Sequence, residues 1–209
     1  MPNIFLTSSL SLVATDLAKH IDKNTKKFLF ITTASENDTD DKLWLIADRK
    51  AMTDLGYTLE DYTITNKTAA EVTQKLTEVD GLIMEGGNTF YLLQQIQQSK
   101  SADIFKQFVK SGKYYIGSSA GSKVAGSDIY TSREKSELAE APLLDRFEAL
   151  GITDINIQPH WGSDHFREYY LNEVVPNLYT PNQKIILLTD TQYIIIENQN
   201  IQIVDVNKN

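Results

Sequence analysis

The chain has 209 residues and a formal net charge of −8 at pH 7, which predicts a single domain over residues 1–209 that buries its own core and argues against nucleic acid or anionic lipid as a partner. It contains no cysteine, so disulfides, Cys-ligated metals and thiol nucleophiles are excluded. No apolar run approaches the ~20 residues that span a bilayer, and the N-terminal segment lacks the basic residues of a signal peptide, so we expect a cytoplasmic protein with no membrane partner.

The first half of the chain alternates short apolar runs with helical patterns. Buried strands are predicted at 3–7, 27–33, 57–65 and 81–84, and helices at 10–21, 42–55, 68–79 and 89–98. The last of these helices starts directly after Gly86 and Gly87, with Asn88 as its N-cap. This turn therefore presents backbone N–H groups at a helix N-terminus.

The second half continues the alternation after one irregular stretch. A helix at 102–109 precedes a strand that starts at residue 114, whereas residues 126–148 form no clear pattern apart from a short helix expected around 143–150. A strand at 155–158, a helix at 164–175, a strand at 184–188 and a terminal hairpin of 193–196 and 201–204 follow. The alternation implies an α/β fold with a mostly parallel sheet that helices cover on both faces.

The strand from residue 114 runs into the sequence Gly117-Ser118-Ser119-Ala120-Gly121. A Gly-x-Ser-x-Gly turn between a buried strand and a helix is typical of a nucleophile elbow, which points its serine out of the backbone. The pattern is weak by itself, because short Gly and Ser motifs arise by chance in a chain of this length. Its position after a strand favours Ser119 as an acyl-transfer nucleophile.

Four polar features follow the carboxyl ends of predicted strands: the Gly86-Gly87-Asn88 turn, Ser119, His160 and Asp190. In a parallel sheet these ends meet at one edge, where ligands bind. We expect Ser119 to attack a carbonyl, His160 to transfer the proton and Asp190 to hold the imidazole tautomer. The backbone N–H groups of Gly87 and Ala120 would hold the oxyanion.

The choice of base is narrow because the chain has three histidines. His20 lies on a predicted surface helix, and His165 lies at a helix start where it would contact substrate or support another residue, whereas His160 follows a strand directly. We therefore favour His160. The Gly-Gly-Asn turn has a second interpretation, a phosphate cradle, but no Walker lysine accompanies it.

The acid of the triad is the least determined member. Asp190 alone is also compatible with a turn cap before Tyr193, and Glu197 and Asp128 remain possible substitutes, although neither follows a strand as directly. Asp190 stays the preferred acid because it comes after His160 and next to a predicted strand end.

With these residues in place, the chain resembles peptidase family S51, the family of dipeptidase E. The resemblance covers most of the chain and is carried by Gly86-Gly87-Asn88-Thr89-Phe90, by residues 115–121, by Pro159-His160 and by Leu188-Thr189-Asp190. It implies a three-layer α/β/α sandwich similar to class I glutamine amidotransferases and flavodoxin, with serine in place of their cysteine. It also implies a Ser-His-Glu/Asp triad without metal or cofactor.

The resemblance implies a serine exopeptidase for short peptides, of which dipeptides with an N-terminal aspartate are the expected substrates. Arg167 is the nearest match to an arginine of the family's loop and is the expected partner of the substrate carboxylate, with Lys123 as a weaker choice and Asn88 as a further substrate contact. Three departures concern the site: Asp190 replaces Glu, the segment after His160 is shorter, and Ser118 stands where the family's dipeptidase has an aromatic residue.

Two other functions remain open at this point. One is a cyanophycinase-like hydrolase of β-aspartyl-arginine peptides, whose cationic side chain would suit an acidic protein. The other is a catalytically silent small-molecule-binding protein of the same fold. For the peptidase, the expected partner is a small peptide substrate, and the expected state is a monomer or a homodimer.

Overall fold

A seven-stranded sheet forms the centre of the computed structural model, which describes residues 3–129, 135–178, 183–198 and 200–208. Its strands are β1 Ile4–Thr7, β2 Lys27–Ile31, β3 Thr58–Tyr62, β4 Gly81–Met84, β5 Tyr114–Ser118, β8 Gln192–Glu197 and β9 Asn200–Asp205. They lie in the order β3-β2-β4-β5-β1-β8-β9. The first five are parallel, and β8 and β9 are antiparallel additions at the β1 side.

Two further strands pair with each other instead of joining the large sheet. They are β6 Ile155–Gln158 and β7 Lys184–Leu187, which form a small parallel sheet. Ile155 and Ile157 of β6 are buried in the same core cluster as Leu6 and Met84 of the large sheet. The small sheet therefore packs against the large one through apolar side chains.

Helices cover both faces of the large sheet. The helices are α1 Leu10–Leu17, α2 Leu43–Asp54, α3 Ala69–Leu76, α4 Thr89–Ser99, α5 Ala102–Lys110, α6 Ala120–Ala125, α7 Lys135–Ala139 and α8 Arg167–Tyr169, which continues through a π turn, Tyr170–Val174, and a 3₁₀ turn, Val175–Asn177. None of the helices in the described ranges is long and apolar enough to cross a membrane.

The alternation of side chains along β2 shows how the layers form. Phe28 and Phe30 face the core cluster beneath α1 and α2, whereas Leu29 between them faces the cluster beneath α3 to α6, because successive side chains of a strand point to opposite faces. Both clusters consist of buried apolar residues. The α/β fold with helices on both sides of a mostly parallel sheet is thus confirmed.

The terminal hairpin is confirmed as β8 and β9, although Gln199 in its turn lies outside the described residues. The helix predicted at 164–175 starts at Arg167 and is irregular. The predicted irregular stretch at 126–148 includes residues 130–134, which lie outside the described residues, and its only described helix is α7.

The short helix predicted around 143–150 is wrong. The backbone N–H of Leu143 donates to the Gln94 side chain, and that of Asp145 donates to Gln97. Gln97 in turn donates to the carbonyl of Arg146. The backbone N–H groups of Ala149 and Leu150, which a helix would pair with the carbonyls of Asp145 and Arg146, donate instead to the carbonyls of Ser127 and Val124. Tertiary contacts thus override the local preference.

Candidate active site

Ser119 lies at a sharp turn between β5 and α6. Its backbone has φ 47° and ψ −106°, a conformation that non-glycine residues rarely adopt. The turn depends on Gly121, where a Cβ would lie 1.8 Å from the carbonyl oxygen of Met84 in β4. Close packing of α6 against β4 thus fixes the elbow and holds Ser119 at the carboxyl edge of the sheet.

The structure brings Ser119, His160 and Asp190 into one hydrogen-bonded chain. Ser119 Oγ lies 2.9 Å from His160 Nε2, and His160 Nδ1 lies 2.7 Å from Asp190 Oδ1. The hydrogen bond with His160 is the main cause that lowers the pKa of Asp190, against the opposing effect of its burial. An ionised carboxylate that accepts from Nδ1 leaves Nε2 able to accept the serine proton.

A ring contact and a strained backbone position the imidazole in addition to Asp190. The Phe166 ring stacks on it with centroids 4.8 Å apart and an angle of 18° between the planes. The backbone of His160 has φ 64°, so the histidine, like the serine, occupies a strained turn after a strand. Strained backbone of this kind is concentrated at functional sites.

Ser8 is a fourth residue of this cluster, and the sequence interpretation missed it. Its hydroxyl donates to Asp190 Oδ1 at 2.7 Å and accepts from the backbone N–H of His160 at 2.7 Å. Ser8 is 1% exposed and directly follows β1, so the signal that identified the other residues, a polar side chain after a strand, was also present here. The residue links acid and base from the large sheet.

Gly87 and Ala120 present backbone N–H groups beside the serine. Within the described ranges, neither N–H has a hydrogen-bond partner. Gly87 has φ 122°, and a Cβ there would lie 2.3 Å from the carbonyl oxygen of Ala34, so glycine is required for this loop to pass so close to its neighbour. A Cβ at the preceding Gly86 would lie 3.3 Å from Cβ of Ser119, which places the loop against the nucleophile. The two N–H groups are available to hold an oxyanion.

A cavity of about 560 Å³ opens onto Ser119 and His160. Its walls carry five carboxylates, whereas Lys123 is the only Lys or Arg among the described lining residues. The carboxylates are Asp38, Asp40, Asp48, Glu137 and Glu140. Arg167 is exposed at the start of α8 and is not among the lining residues in the described part of the chain.

Asn88 is engaged on both sides of its amide. Its Oδ1 accepts from the backbone N–H groups of Phe90 and Tyr91, both at 3.0 Å, which caps α4. Its Nδ2 donates to the carbonyl of Glu137 at 2.8 Å and to Glu140 Oε2 at 3.0 Å. Asn88 and the Glu140 carboxylate that it holds both line the cavity.

Two buried carboxyl groups lie behind the elbow. Asp48 is 2% exposed and accepts from the Ser118 hydroxyl at 2.8 Å and from the Ser11 backbone N–H at 2.7 Å. Glu85 is fully buried, and among the described residues the groups near its carboxyl oxygens, the Gly86 backbone N–H and the Asp48 carboxyl, do not meet hydrogen-bond geometry. Burial, and then the nearby Asp48 charge, raises the pKa of Glu85 well above its ordinary value, and burial also raises the pKa of Asp48. The sequence interpretation missed both groups.

No group of three or more His, Asp or Glu side chains in the described ranges is arranged to hold a metal ion. The polar groups around Ser119 are a base that contacts it, an acid that contacts the base, and nearby backbone N–H donors. Such a set can carry out acyl transfer, in which a carbonyl carbon is attacked and its oxygen is stabilised by N–H groups.

The sequence model of peptidase family S51 matches residues 4–204 of the chain. Among curated relatives, Uncharacterized peptidase PM1590 of Pasteurella multocida is 29% identical over 202 residues, which cover 95% of each chain. Peptidase E of Shewanella denitrificans is 31% identical over 150 residues, which cover 72% of this chain and 60% of that protein.

Solved structures show the same architecture. A crystal structure from Listeria monocytogenes EGD-e, of a protein provisionally named peptidase E, superimposes with a TM-score of 0.86 at 27% identity and covers 99% of both chains. A peptidase from an acI-B1 Actinobacterium has a TM-score of 0.68 at 17% identity and covers 98% of this chain and 88% of that chain. The second comparison concerns the fold alone.

Proposed function

Because this chain belongs to peptidase family S51, a family of serine-type peptidases, we propose that it is an exopeptidase that hydrolyses short peptides through an acyl-enzyme on Ser119. The observation that carries the proposal is the unbroken chain of contacts from Ser119 Oγ through His160 to Asp190, at 2.9 and 2.7 Å. It opens into a cavity of peptide size.

The reaction follows from these positions. Ser119 Oγ attacks the scissile carbonyl while His160 Nε2 takes its proton, and the backbone N–H groups of Gly87 and Ala120 stabilise the oxyanion. The imidazolium then protonates the leaving amine, which departs and leaves the acyl group on Ser119. A water molecule, deprotonated by the same imidazole, releases the acid product and restores the serine. Asp190 remains ionised throughout and stabilises the imidazolium.

The first test measures the reactivity of Ser119 and the hydrolysis of dipeptides together. A fluorophosphonate should modify Ser119 in the native protein, and His160→Ala should abolish the labelling because the serine then lacks its base. Native protein should also cleave at least one member of a panel of Asp-X, Ala-X and β-Asp-X dipeptides, and Ser119→Ala should cleave none. A protein that is neither labelled nor active on the panel would instead match the silent binder.

Aspartyl specificity is a finer proposal, and the described lining of the cavity offers one Lys or Arg side chain for it. Lys123 lines the cavity, so an N-terminal aspartate would place its side-chain carboxylate near this ammonium group. An Asp-X preference over Ala-X that disappears in Lys123→Met but persists in Arg167→Met would support Lys123 as the partner. If the preference is lost in Arg167→Met and kept in Lys123→Met, Arg167 is the partner of the substrate carboxylate.

The acidic lining of the cavity favours a second candidate substrate. A β-aspartyl-arginine dipeptide carries a guanidinium group, which carboxylates bind with paired hydrogen bonds. Turnover of β-Asp-Arg that exceeds turnover of β-Asp-Ala, with the excess removed at high salt, would support the cyanophycinase-like function. Equal rates for the two peptides would count against it.

A further inference from the structure

The loop that borders the nucleophile also positions a carboxylate. Gly86 lies against Ser119, with its Cβ position 3.3 Å from the serine Cβ, and Asn88 follows two residues later. The Asn88 amide donates to Glu140 Oε2 at 3.0 Å. Packing of Gly86 on Ser119, the backbone from Gly86 to Asn88 and one hydrogen bond thus relate the serine to Glu140, which lines the same cavity.

This carboxylate is held in place by a residue that has little freedom. Asn88 is 9% exposed, and its other amide atom caps α4 through two backbone N–H groups. Nδ2 can reach Glu140 in one orientation only, because reversing the amide would turn its oxygen toward the carboxylate and its NH₂ toward the backbone donors. The remaining lone pairs of the exposed Glu140 carboxylate are open to a ligand.

The electrostatic character of the cavity selects the kind of ligand. Five carboxylates and one ammonium group line it in the described residues, so the lining carries a net negative charge. Such a lining attracts a cation and repels a carboxylate. In a short peptide the positive group that is always present, whatever its side chains, is the free N-terminal ammonium.

We propose that Glu140, held by Asn88, binds the free α-ammonium group of the peptide and so restricts cleavage to peptides with an unblocked N-terminus. The assignment rests on the proposed exopeptidase function and gives it a direction: the peptide is cleaved next to its N-terminus, so the acyl group carried by Ser119 is the N-terminal residue or a short N-terminal segment of the substrate. Asn88 is a positioning residue that acts through Glu140.

The test measures binding separately from turnover. Calorimetry with the Ser119→Ala protein and the dipeptides Ala-Ala and N-acetyl-Ala-Ala should give a Kd about 10- to 100-fold lower for the free amine, the range of a hydrogen bond to a charged group. Adding Glu140→Gln should remove most of this difference. Glu148→Gln is the matched control, because Glu148 is exposed in the same region of the chain and lies outside the described lining of the cavity.

The Asn88→Ser variant tests whether Glu140 must be held by the Asn88 amide in order to bind the ammonium group. Serine retains the N-cap acceptor but lacks the amide donors, so the free-amine preference should weaken while the protein remains folded by circular dichroism. Equal affinity for the two dipeptides, undetectable binding of both, or a preference that survives Glu140→Gln would each overturn the proposal. Since binding is measured without the nucleophile, a failure here is distinct from an absence of peptidase activity in the native protein.

Discussion

Replacing Ser8 by alanine tests whether His160 and Asp190 depend on a residue that follows β1 of the large sheet. The Ser8 hydroxyl donates to Asp190 and accepts from the His160 backbone N–H, both at 2.7 Å. Alanine removes both contacts, together with a longer one of 3.3 Å to His160 Nδ1, and adds no bulk. The Ser8→Ala protein therefore keeps every catalytic atom and loses only the group that ties acid and base to β1.

The magnitude follows from the two lost bonds. A hydrogen bond to an ionised carboxylate is worth about 1.5–3 kcal/mol, and the neutral bond about 1 kcal/mol, so the free energy of unfolding should fall by about 2–4 kcal/mol. The Ser8 hydroxyl also helps to lower the pKa of Asp190, after the larger effect of His160, so the carboxyl becomes easier to protonate. We expect kcat/KM to fall about 10- to 100-fold, because the His160 imidazole and the Asp190 carboxylate are then held less firmly in position and the transition state is less stabilised.

The assay compares kcat/KM and urea unfolding with those of Ser99→Ala. Ser99 is 4% exposed and also has two hydroxyl contacts, to the Ile96 carbonyl and to Ser101, but it lies at the end of α4 outside the described lining of the cavity. Ser99→Ala should lose stability and keep its activity, whereas Ser8→Ala should lose both. Full kcat/KM in a destabilised Ser8→Ala protein would show that Ser8 serves the fold alone and would refute the reasoning.

Three further predictions concern the acid, the buried carboxyl and the glycine loop. Asp190→Asn should lower kcat by about 10⁴-fold with little change in KM, because a neutral amide does not stabilise the imidazolium of His160; a loss below about tenfold in steady-state kinetics would assign the acid to another residue. Burial raises the pKa of Glu85 in the folded state above its unfolded value, which is near 4.5. The contribution of Glu85 to the free energy of unfolding is therefore fully present below the unfolded pKa and is lost as pH rises toward the folded-state pKa. Glu85→Gln should therefore gain stability relative to the native protein as pH rises from 5 toward ~8 in thermal unfolding, and parallel curves would contradict this. Gly87→Ala should cost about 2–5 kcal/mol, since a side chain there would overlap a backbone carbonyl at 2.3 Å, while Gly56→Ala, at φ 89° with no atom within 4 Å, should cost about 1 kcal/mol in the same urea titration.

Much of the site was predictable because its residues obey a local rule. Ser119, His160 and Asp190 each follow an apolar run that is recognisable as a strand, and a parallel arrangement brings strand ends to one edge whatever the detailed pairing. Ser8 obeys the same rule after β1, but a serine at a strand end usually caps a turn, so its role became visible only through its contacts with Asp190 and His160.

The rest depended on contacts between distant parts of the chain. Nothing local indicates that β6 pairs with β7 rather than with the large sheet, because pairing is decided by which apolar faces meet. The path of the segment after His160 determines whether Arg167 reaches the cavity, and only the structure shows that it lies outside the described lining. Glu85 was also unpredictable, since a glutamate beside two glycines would ordinarily face solvent.

The separation of the two sheets has a consequence for how this protein would fail on heating. The nucleophile and Ser8 are carried by the large sheet, whereas His160 follows β6 of the small one, and Asp190 lies in the turn that leads from β7 of the small sheet to β8 of the large sheet. The proton path thus crosses a seam between two hydrogen-bonded units that are joined by side chains rather than by a shared ladder. Slippage of about 1 Å along this seam would disconnect serine from imidazole while both sheets stayed intact. On heating, loss of activity should therefore occur at a lower temperature than unfolding. Contacts along the seam, rather than in the core, would be the ones to strengthen in a variant that keeps its activity at higher temperature.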